Sequence, residues 1–381
     1  MSRAVRLHMA PWMVAGVQTQ FFHLHSELAR AGVELTVSEV HPWLSGGRLE
    51  QLPLPARTKG TIRSISCLRR LSRQPADALW AQVALPLLPY LFTTSWLRSA
   101  PVFYAIDCTP RLLSDLDAHY RANASDPASV KGRLTTLAYK AFFRRCCALL
   151  PWSSWAARSM IDDYGADPER VRVLPPGIDT ERWRPAASRP DAHGKLQVLF
   201  VGGDFERKGG PLLLELHRKH LRQSCDLHLV TRERLEPEPG VYPHHGLRPN
   251  DAALLELFQR SDVLVVPTLA DCFSMAAIEA MACGLPVITS LVGGIPEIVV
   301  EGQTGFLVPP GDATGLLAAI QAVVADPGLR RRLGHAGRDV AVDRFNGAAQ
   351  AMRLLDLILS SLEPRTFSSR RPDCSAAEIS F

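Results

Sequence analysis

The sequence lacks the cysteine patterns that build disulfide frameworks and zinc sites. Its eight cysteines are scattered along 381 residues, and no two of them are spaced as CxxC. Because both kinds of site need clustered or regularly spaced cysteines, neither is expected here. We interpret the cysteines as reduced, mostly buried thiols of a cytoplasmic protein.

Apolar runs of bilayer length are also missing. The closest approach, residues 85–97, contains Pro86 and Pro89, which favours a buried and interrupted segment. At the start of the chain, arginines precede a short apolar run, which leaves a signal peptide as an alternative. Pro11 interrupts that run, so we interpret residues 4–9 as a first strand.

Two common nucleotide-binding fingerprints are absent. The chain has neither a Walker A loop nor a GxGxxG motif. The sequence therefore disfavours an interpretation as an ATPase or an NAD-dependent enzyme. The charge balance is mild, because 43 Lys+Arg against 38 Asp+Glu give a formal net charge of +5. This excess permits attraction to anionic substrates, but no basic stripe interleaved with aromatics indicates nucleic acid.

What the chain does have is a strand and helix alternation that occurs twice. Short apolar runs alternate with helical patterns, which is typical of parallel α/β sheets, and a Pro-rich segment separates the two series. We therefore predict an α/β protein of two doubly wound, Rossmann-like domains. The predicted divisions are an N-terminal domain at 1–175, a linker at 176–194, a C-terminal domain at 195–345, a last helix at 346–362 and a disordered tail at 363–381.

Candidate chemistry is concentrated in residues 263–286, which read VLVVPTLADCFSMAAIEAMACGLP. The pattern predicts a buried strand, a polar turn and a helix that begins at Ser274. A helix N-terminus favours an anion such as a diphosphate. Asp271 precedes the helix and Glu279 lies inside it, and carboxylates suit neutral hydroxyls as hydrogen-bond acceptors. The alternatives are a plain turn residue at Asp271 and a solvated helix position at Glu279.

A second strand end is rich in glycine and reads VGGDFERKGG over residues 201–210. Gly202 and Gly203 let the backbone turn sharply and let a ligand approach, and Lys208 places a mobile cation at the carboxyl end of a strand. The alternative is an ordinary turn with a solvated lysine.

Four motifs together resemble family four of the retaining glycosyltransferases, the glycosyl transferases of group 1. They are, in order, VLPPGID, GGDFERKGG, DCFSMAAIEAMACGLPV and SLVGGIPEIVVEGQTGFLVPPGD. The resemblance implies the GT-B fold, with two domains facing each other across a cleft and a last helix that crosses back to the first domain. It also implies transfer of a sugar from a nucleotide-diphosphate sugar to a hydroxyl acceptor, with retention of anomeric configuration and no cofactor beyond the donor substrate. The acceptor would be a glycan, a lipid-linked molecule or a small molecule, as in polysaccharide biosynthesis.

The resemblance also implies roles for residues of the second domain. Asp271 would contact the donor sugar, although relatives usually have the longer Glu, and Glu279 would hold the ribose hydroxyls. Lys208 would pair with the phosphates, together with Gly202 and Gly203. The backbone amides that would face the diphosphate belong to Phe273, Ser274, Met275 and Ala276.

Departures from the family pattern leave several roles open. Many relatives carry an arginine where this chain has Gly203, and Arg207 is the candidate substitute. His245 to Leu247 would pack the base, or His245 is merely polar surface. In the first domain, Gly16 would lie near the phosphates. Asp107 stands where relatives often have a histidine and would contact the sugar, or it only starts a turn.

Metal and membrane contacts are the remaining expectations. The one DxD sequence, residues 115–117, is interpreted as a solvated face, so we expect no metal. Residues 131–150 interleave five cations with apolar side chains, which would suit a peripheral contact with the inner face of an anionic membrane. The alternative is a helix packed on the sheet with a solvated basic face. For the whole chain, the competing interpretations are a GT-B sugar-nucleotide epimerase and a non-catalytic binding protein with this fold.

Overall fold

The structure, a computed structural model, describes residues 4–13, 15–41, 56–85, 87–116, 129–187 and 194–363. Two parallel β-sheets form the framework, and helices cover their faces. The predicted α/β fold class with two Rossmann-like domains is confirmed.

The first sheet has five strands in the order β2-β1-β3-β4-β5, and every pairing is parallel. Its strands are β1 (Arg6–Ala10), β2 (Glu34–Val37), β3 (Ala78–Ala81), β4 (Val102–Ile106) and β5 (Ala148–Pro151). The register aligns Leu7 with Leu35 on one side and with Ala78 on the other. A parallel sheet needs cover on both faces, which explains why β3 and β5 are buried throughout.

The second sheet has six parallel strands in the order β11-β10-β9-β6-β7-β8. Its strands are β6 (Leu196–Val201), β7 (Cys225–Val230), β8 (Val241–His244), β9 (Val263–Val266), β10 (Val287–Ser290) and β11 (Gly305–Val308). The central strand β9 reads VLVV and is buried throughout. The strand order reverses between β6 and β9, and open α/β sheets bind their ligands at such a point.

Helices of the described residues connect the strands and pack on both sheets. Those of the first domain are α1 (Ala15–Arg30), α2 (Ala56–Cys67), α3 (Leu88–Thr93), α4 (Pro110–Asp115), α5 (Val130–Arg145) and α6 (Ser154–Asp162). Those that follow are α7 (Gly210–Leu216), α8 (Ala252–Arg260), α9 (Met275–Ala282), α10 (Ala313–Ala325), α11 (Pro327–Arg344) and α12 (Gly347–Leu362). Serine side chains at Ser129, Ser153 and Ser274 cap α5, α6 and α9, which is why these helices begin there.

The segment predicted as a linker is packed where the structure describes it. Ile178 and Trp183 are fully buried in the core of the second domain, and the Trp183 ring meets Phe258 edge-on at 5.3 Å. The Gly347 N–H donates to the Ile178 carbonyl over 2.7 Å, so this segment is tied to the start of α12. Because Trp183 is buried, the described part of the predicted linker is packed into the second domain.

Helix α12 returns to the first domain. Its buried residues, which include Leu354 and Ile358, share a hydrophobic cluster with Leu7 and Met9 of β1 and with Leu28 of α1. The helix therefore covers one face of the first sheet although it follows the second sheet in sequence. The expected disordered tail lies outside the described residues apart from Glu363.

Membrane-spanning potential can be judged from the helices themselves. Within the described ranges, no helix combines the length and the apolar character needed to cross a bilayer. Leu88–Thr93, in the most apolar run of the sequence, is a helix of only 6 residues.

Candidate functional site

The candidate site residues of the second domain follow four adjacent strands. Gly202 follows β6, Thr231 and Arg232 follow β7, His245 follows β8, and the loop with Asp271 follows β9. Because β9, β6, β7 and β8 are neighbours and all parallel, their carboxyl ends lie along one edge of the sheet. The structure thus gathers residues that are far apart in the sequence, and it does so where such sheets bind ligands.

Helix α9 presents its N-terminus at this edge. The Ser274 hydroxyl accepts a hydrogen bond from the Ala277 N–H over 3.3 Å, so one of the first N–H groups is satisfied. Among the described residues, no acceptor contacts the N–H groups of Met275 and Ala276. Two backbone donors and the positive end of the helix dipole are therefore available to an anion.

Lys208 and Asp271 form an ion pair in front of this helix. The Lys208 ammonium donates to the Asp271 carboxylate, and their side chains are only 15% and 7% exposed. Sequence reasoning assigned Lys208 to phosphate and Asp271 to sugar, and it did not foresee their mutual contact. Removing either partner of such a sheltered pair leaves the other charge uncompensated, so the two residues act as one unit.

Glu279 is a buried carboxyl without a protein partner. It is 5% exposed, and no donor or cation of the described chain is paired with it. Burial alone raises the pKa of Glu279 to about 8. A buried polar group without a partner is costly, and a ligand hydroxyl that donates to it would relieve this cost. The solvated-helix alternative for Glu279 is therefore wrong.

Two glycines hold the loops of the site against each other. Gly209 has a φ of 75°, and a Cβ there would lie 1.9 Å from the Pro267 carbonyl oxygen. Gly293 has a φ of 57°, and a Cβ there would lie 2.1 Å from the Asp271 carbonyl oxygen. Only glycine fits these positions, which pin the loop after β6 and the loop after β10 onto the Asp271 loop. Gly293 belongs to the VGGIPE motif, which could have signalled this role.

Arg207 does not lie over Gly203. Its guanidinium donates to the Asp204 carboxylate over 3.2 Å and to the Ala270 carbonyl over 2.7 Å, so it ties the glycine-rich loop to the Asp271 loop. Arg232 takes the space instead, because a Cβ on Gly203 would lie 3.1 Å from Arg232 Nε. Sequence reasoning missed Arg232, although its place directly after a predicted strand was a usable signal.

His245 and Leu247 lie at the far end of the site edge, after β8. His245 is exposed, and its Nε2 contacts the Leu235 carbonyl oxygen at 3.4 Å. Leu247 is partly buried against the core of the second domain. The structure places this turn two strands away from Gly202, on the side opposite Asp271. A ligand that reached both ends would therefore lie across the carboxyl ends of β6 and β7.

The first domain faces the start of α9. A Cβ on Gly16 would lie 3.3 Å from Met275 Cγ, so α1 begins directly opposite α9. The ring of Trp152 meets Phe273 edge-on at 5.8 Å. A carboxylate oxygen of Asp107 lies within 4.8 Å of the Cys272 sulfur. The structure thus brings Gly16 and Asp107 to the same cleft as the second-domain residues.

Asp107 ends the fourth strand of the first sheet and points toward this cleft. The pKa of Asp107 is raised to about 6, chiefly by burial; the hydrogen bond from the Cys108 N–H lowers it, and the negative charge of Asp271 contributes a smaller rise. That bond is 2.8 Å long. The neighbouring Thr109 caps α4, so this helix begins at the side chain of Thr109.

Glu297 links the two domains beside the site. Its carboxylate accepts from the backbone N–H groups of Ser154 and Trp155, over 2.7 Å and 2.8 Å, at the N-terminus of α6. A carboxylate is favourable at the positive end of a helix dipole. The loop that carries Gly293 is therefore fixed on the Asp271 loop at one end and on the first domain at the other.

Two family models match this chain at the residues just described. The model of a glycosyl transferase 4-like domain matches residues 15–177, and the model of glycosyl transferases group 1 matches residues 242–340. The first range contains Gly16 and Asp107, and the second contains Asp271 and Glu279. Residues 242–340 thus form a group 1 glycosyl transferase domain, and residues 15–177 form a glycosyl transferase 4-like domain. The glycine-rich loop with Lys208 lies between the two matched ranges.

Individual relatives and solved structures agree with the family. The chain is 32% identical over 216 residues to an MMP alpha-(1->4)-mannosyltransferase from Mycolicibacterium hassiacum, an alignment that covers 53% of this chain and 51% of that protein. The chain thus spans about half the length of the curated relatives it matches. Sucrose-phosphate synthase from Thermosynechococcus elongatus superposes with a TM-score of 0.74 at 20% identity, over 94% of this chain and 99% of that one.

A further structural neighbour of this chain was solved with a ligand. HepE from Anabaena, in complex with UDP-glucose, superposes with a TM-score of 0.68 at 16% identity, over 93% of this chain and 100% of that one. At these identities the neighbours show the fold alone, and that fold is GT-B.

Proposed function

We propose that the protein is a glycosyltransferase that moves a sugar from a nucleotide-diphosphate sugar to a hydroxyl acceptor with retention of configuration. The observation that carries this proposal is Glu279, a buried carboxyl without a protein partner, beside the open N-terminus of α9. Such a carboxyl next to an anion site suits a ligand that has hydroxyls on either side of a diphosphate. An epimerase or a non-catalytic binding protein with the same fold would use the same donor site, so product analysis separates them.

The diphosphate would bind to positive groups of the second domain. The N–H groups of Met275 and Ala276 supply two donors, and Lys208 and Arg232 supply cations from the neighbouring strand ends. On binding, Lys208 would turn from Asp271 to the phosphates. The released Asp271 carboxylate could then accept hydrogen bonds from the donor sugar. One ion pair is exchanged for another, and hydrogen bonds from the sugar would replace the contact that Asp271 gives up.

Glu279 would hold the ribose, and the turn at His245 and Leu247 would contact the base. A ribose hydroxyl that donates to Glu279 favours the ionised carboxylate and so lowers its pKa. Binding at pH 7 would therefore release a proton from Glu279, whose pKa in the ligand-free protein is about 8. This proton is a direct marker of the ribose contact.

Catalysis in this arrangement rests on leaving-group stabilisation. Charge develops on the diphosphate as the glycosidic bond breaks, and Lys208 and the α9 amides are fixed in a sheltered site where they can stabilise it. We propose that the reaction needs no divalent metal for this reason. Asp107 would approach the sugar from the first domain, and retention is proposed because the chain belongs to a family with that stereochemistry.

The donor and acceptor classes are proposed from the relatives. HepE was solved with UDP-glucose, and the relative from Mycolicibacterium hassiacum is described as a mannosyltransferase. A nucleotide sugar and a carbohydrate, lipid-linked or small-molecule acceptor are the corresponding proposals here, with the acceptor on the first domain beside Asp107.

A peripheral membrane contact is a separate proposal, carried by α5. Val130, Leu134 and Leu137 are 77%, 61% and 63% exposed and recur at helical spacing. Lys131, Arg133 and Arg144 are exposed on the same helix. An exposed apolar stripe with flanking cations suits the surface of an anionic bilayer. Arg145 takes no part, because its guanidinium donates to the carbonyls of Leu97 and Ala100.

Sedimentation with vesicles tests this contact. The protein should bind vesicles with anionic lipid at low salt, and binding should weaken as salt screens the cations. Leu137→Asp should reduce it, whereas Leu359→Asp, on the exposed side of α12, should not. Equal binding to neutral vesicles at high salt, or equal binding by both variants, would refute it.

Calorimetry with UDP, GDP and ADP in EDTA tests the proposed donor site. One of the three should bind saturably, and the corresponding nucleotide sugars should then be screened for transfer with carbohydrate acceptors. Analysis of the product by NMR distinguishes a transferred sugar from an epimerised donor and reports the anomeric configuration. If none of the three nucleotides binds, the proposed donor site is wrong.

A further inference from the structure

Three groups able to bind a metal ion meet in the cleft between the domains. A carboxylate oxygen of Asp107 and the sulfurs of Cys108 and Cys272 all lie within 4.8 Å of one another. Asp107 and Cys108 follow β4 of the first sheet, and Cys272 follows β9 of the second. The two thiols are 8% and 3% exposed. No sequence motif indicates this cluster, because its members come from different domains.

The chemistry of the cluster favours one class of ligand. Two sulfurs and a carboxylate match the donors that soft or borderline divalent cations prefer, and hard cations such as Mg²⁺ prefer oxygen alone. The site also carries negative charge, because Asp271 lies close enough to raise the pKa of Asp107. A cation bound there would offset the charge of Asp107, since the ion pair that the described residues show in this region joins Lys208 to Asp271 and not to Asp107.

We propose that Asp107, Cys108 and Cys272 bind a thiophilic divalent cation, of which Zn²⁺ is the type, and that this ion bridges the two domains. Tetrahedral zinc with Zn–S bonds of about 2.3 Å separates two sulfurs by about 3.8 Å, which the present cluster reaches with small side-chain movements. Binding of the ion is accompanied by the loss of one proton from each thiol to solvent. The fourth coordination position would be taken by water or by a ligand in the cleft.

A disulfide between the same cysteines is the competing chemistry, and the surroundings disfavour it. The Cys108 and Cys272 side chains are sheltered from solvent, with only 8% and 3% of the two residues exposed. Oxidants reach and react with exposed thiolates, so buried thiols are poor targets. A metal ion is different, because it displaces the thiol proton directly on coordination.

The consequence concerns access to the cleft. An ion held by Cys108 from one side and Cys272 from the other would fix the domains together directly beside Asp271. On the proposed function, the donor sugar occupies this space, so the ion should inhibit transfer. The metal-binding part of this inference does not depend on that function, and its test uses no substrate.

Titration of metal-free protein with Co²⁺, in a phosphine reductant, tests the site. One equivalent should bind and give the thiolate-to-cobalt charge-transfer absorption and the visible bands of a four-coordinate ion. Zn²⁺ should displace it. Cys108→Ser and Cys272→Ser should each lower the affinity by more than the roughly 10–100-fold that loss of an outer-shell partner causes. Cys147→Ser, which removes an exposed thiol elsewhere, should bind as the parent does.

A second measurement avoids variants that fail to fold. In the unmodified protein, Zn²⁺ should slow alkylation of Cys108 and Cys272 selectively, as read by mass spectrometry of peptides, while Cys147 reacts at an unchanged rate. Absence of the charge-transfer band, equal protection of all three thiols, or a spontaneous Cys108–Cys272 disulfide in place of metal binding would each overturn the site. Nucleotide binding in EDTA is unaffected by any of these outcomes, so the failure of the metal site and the failure of the donor site are distinguishable.

Discussion

The two domains bring different kinds of group to the cleft. The second domain contributes a helix N-terminus, two cations and two carboxylates from three adjacent strand ends, and glycines with positive φ fix the loops that carry the carboxylates. The first domain contributes one carboxylate, one thiol and a close approach at Gly16. We propose that the second domain binds the donor and that the first supplies a surface against which the sugar and acceptor meet.

If the second domain binds the donor and the first supplies the surface opposite it, the largest loss of turnover should follow from substitution of Lys208. Lys208→Met removes a cation from the phosphates and leaves Asp271 without its partner, so turnover should fall by about 10²–10³-fold, as for loss of a fixed charge-stabilising donor. Steady-state kinetics with the identified donor measures this. Lys219→Met is a matched control, because Lys219 is an exposed lysine of the same domain paired only with Glu215. Similar losses in both variants would contradict a specific role for Lys208.

Substitution of Asp271 should lower turnover without weakening the binding of the nucleotide. Asp271→Asn keeps the shape but removes the charge, so turnover should fall by about 10²-fold if the carboxylate acts on developing charge at the sugar. Affinity for the bare nucleoside diphosphate should stay the same or rise, because Lys208 is then free of its ion pair. Calorimetry and kinetics on the same preparation decide this. Unchanged turnover would reduce Asp271 to a turn residue.

Substitution of Glu297 should have the smallest effect of the three changes, because this residue acts only by holding the domains together. Glu297→Gln replaces a carboxylate at the N-terminus of α6 by a neutral amide and should cost about 1 kcal/mol, within the range for helix caps and dipole contacts. Chemical denaturation reports the change. Nucleotide affinity should be unaltered, and a loss of affinity larger than the loss of stability would show that the second domain does not bind the donor on its own.

Much of the fold could be predicted because buried parallel strands have a strong local signature. The first strand, predicted at residues 4–9, is observed at Arg6–Ala10, and the buried strand predicted within residues 263–286 is observed at Val263–Val266. The N-terminus of α9 was predictable for the same reason, since a buried strand, a turn and a capping serine are all contained in a short stretch.

Contacts between distant segments could not be predicted in this way. The ion pair of Lys208 with Asp271 joins residues 63 positions apart, and whether two side chains on neighbouring loops meet depends on backbone paths that no local pattern encodes. Arg232 over Gly203 and Cys108 against Cys272 are of the same kind. The first domain was predicted least well because its part of the cleft consists almost entirely of such contacts.

The proposed ribose contact of the second domain can be measured as a proton released on nucleotide binding, since a hydroxyl that donates to Glu279 favours the ionised carboxylate. Calorimetry of the preferred nucleoside diphosphate at pH 7, in buffers of different ionisation enthalpy, should show this proton in the parent protein, because ribose contact lowers the pKa of Glu279 from about 8. Glu279→Gln should abolish that release, and Glu279→Ala should weaken binding by about 1.5–3 kcal/mol.

The same carboxyl has a signature in the ligand-free protein that serves as a control. The folded pKa of Glu279 is about 8, above the ordinary value of 4.5, so the free energy of unfolding should fall as pH rises between these values and level off above them. Glu279→Gln should remove this part of the pH dependence. We expect proton release together with this slope in the parent and neither in Glu279→Gln. Equal affinity and equal proton release in parent and Glu279→Gln would contradict a donor site built around Glu279.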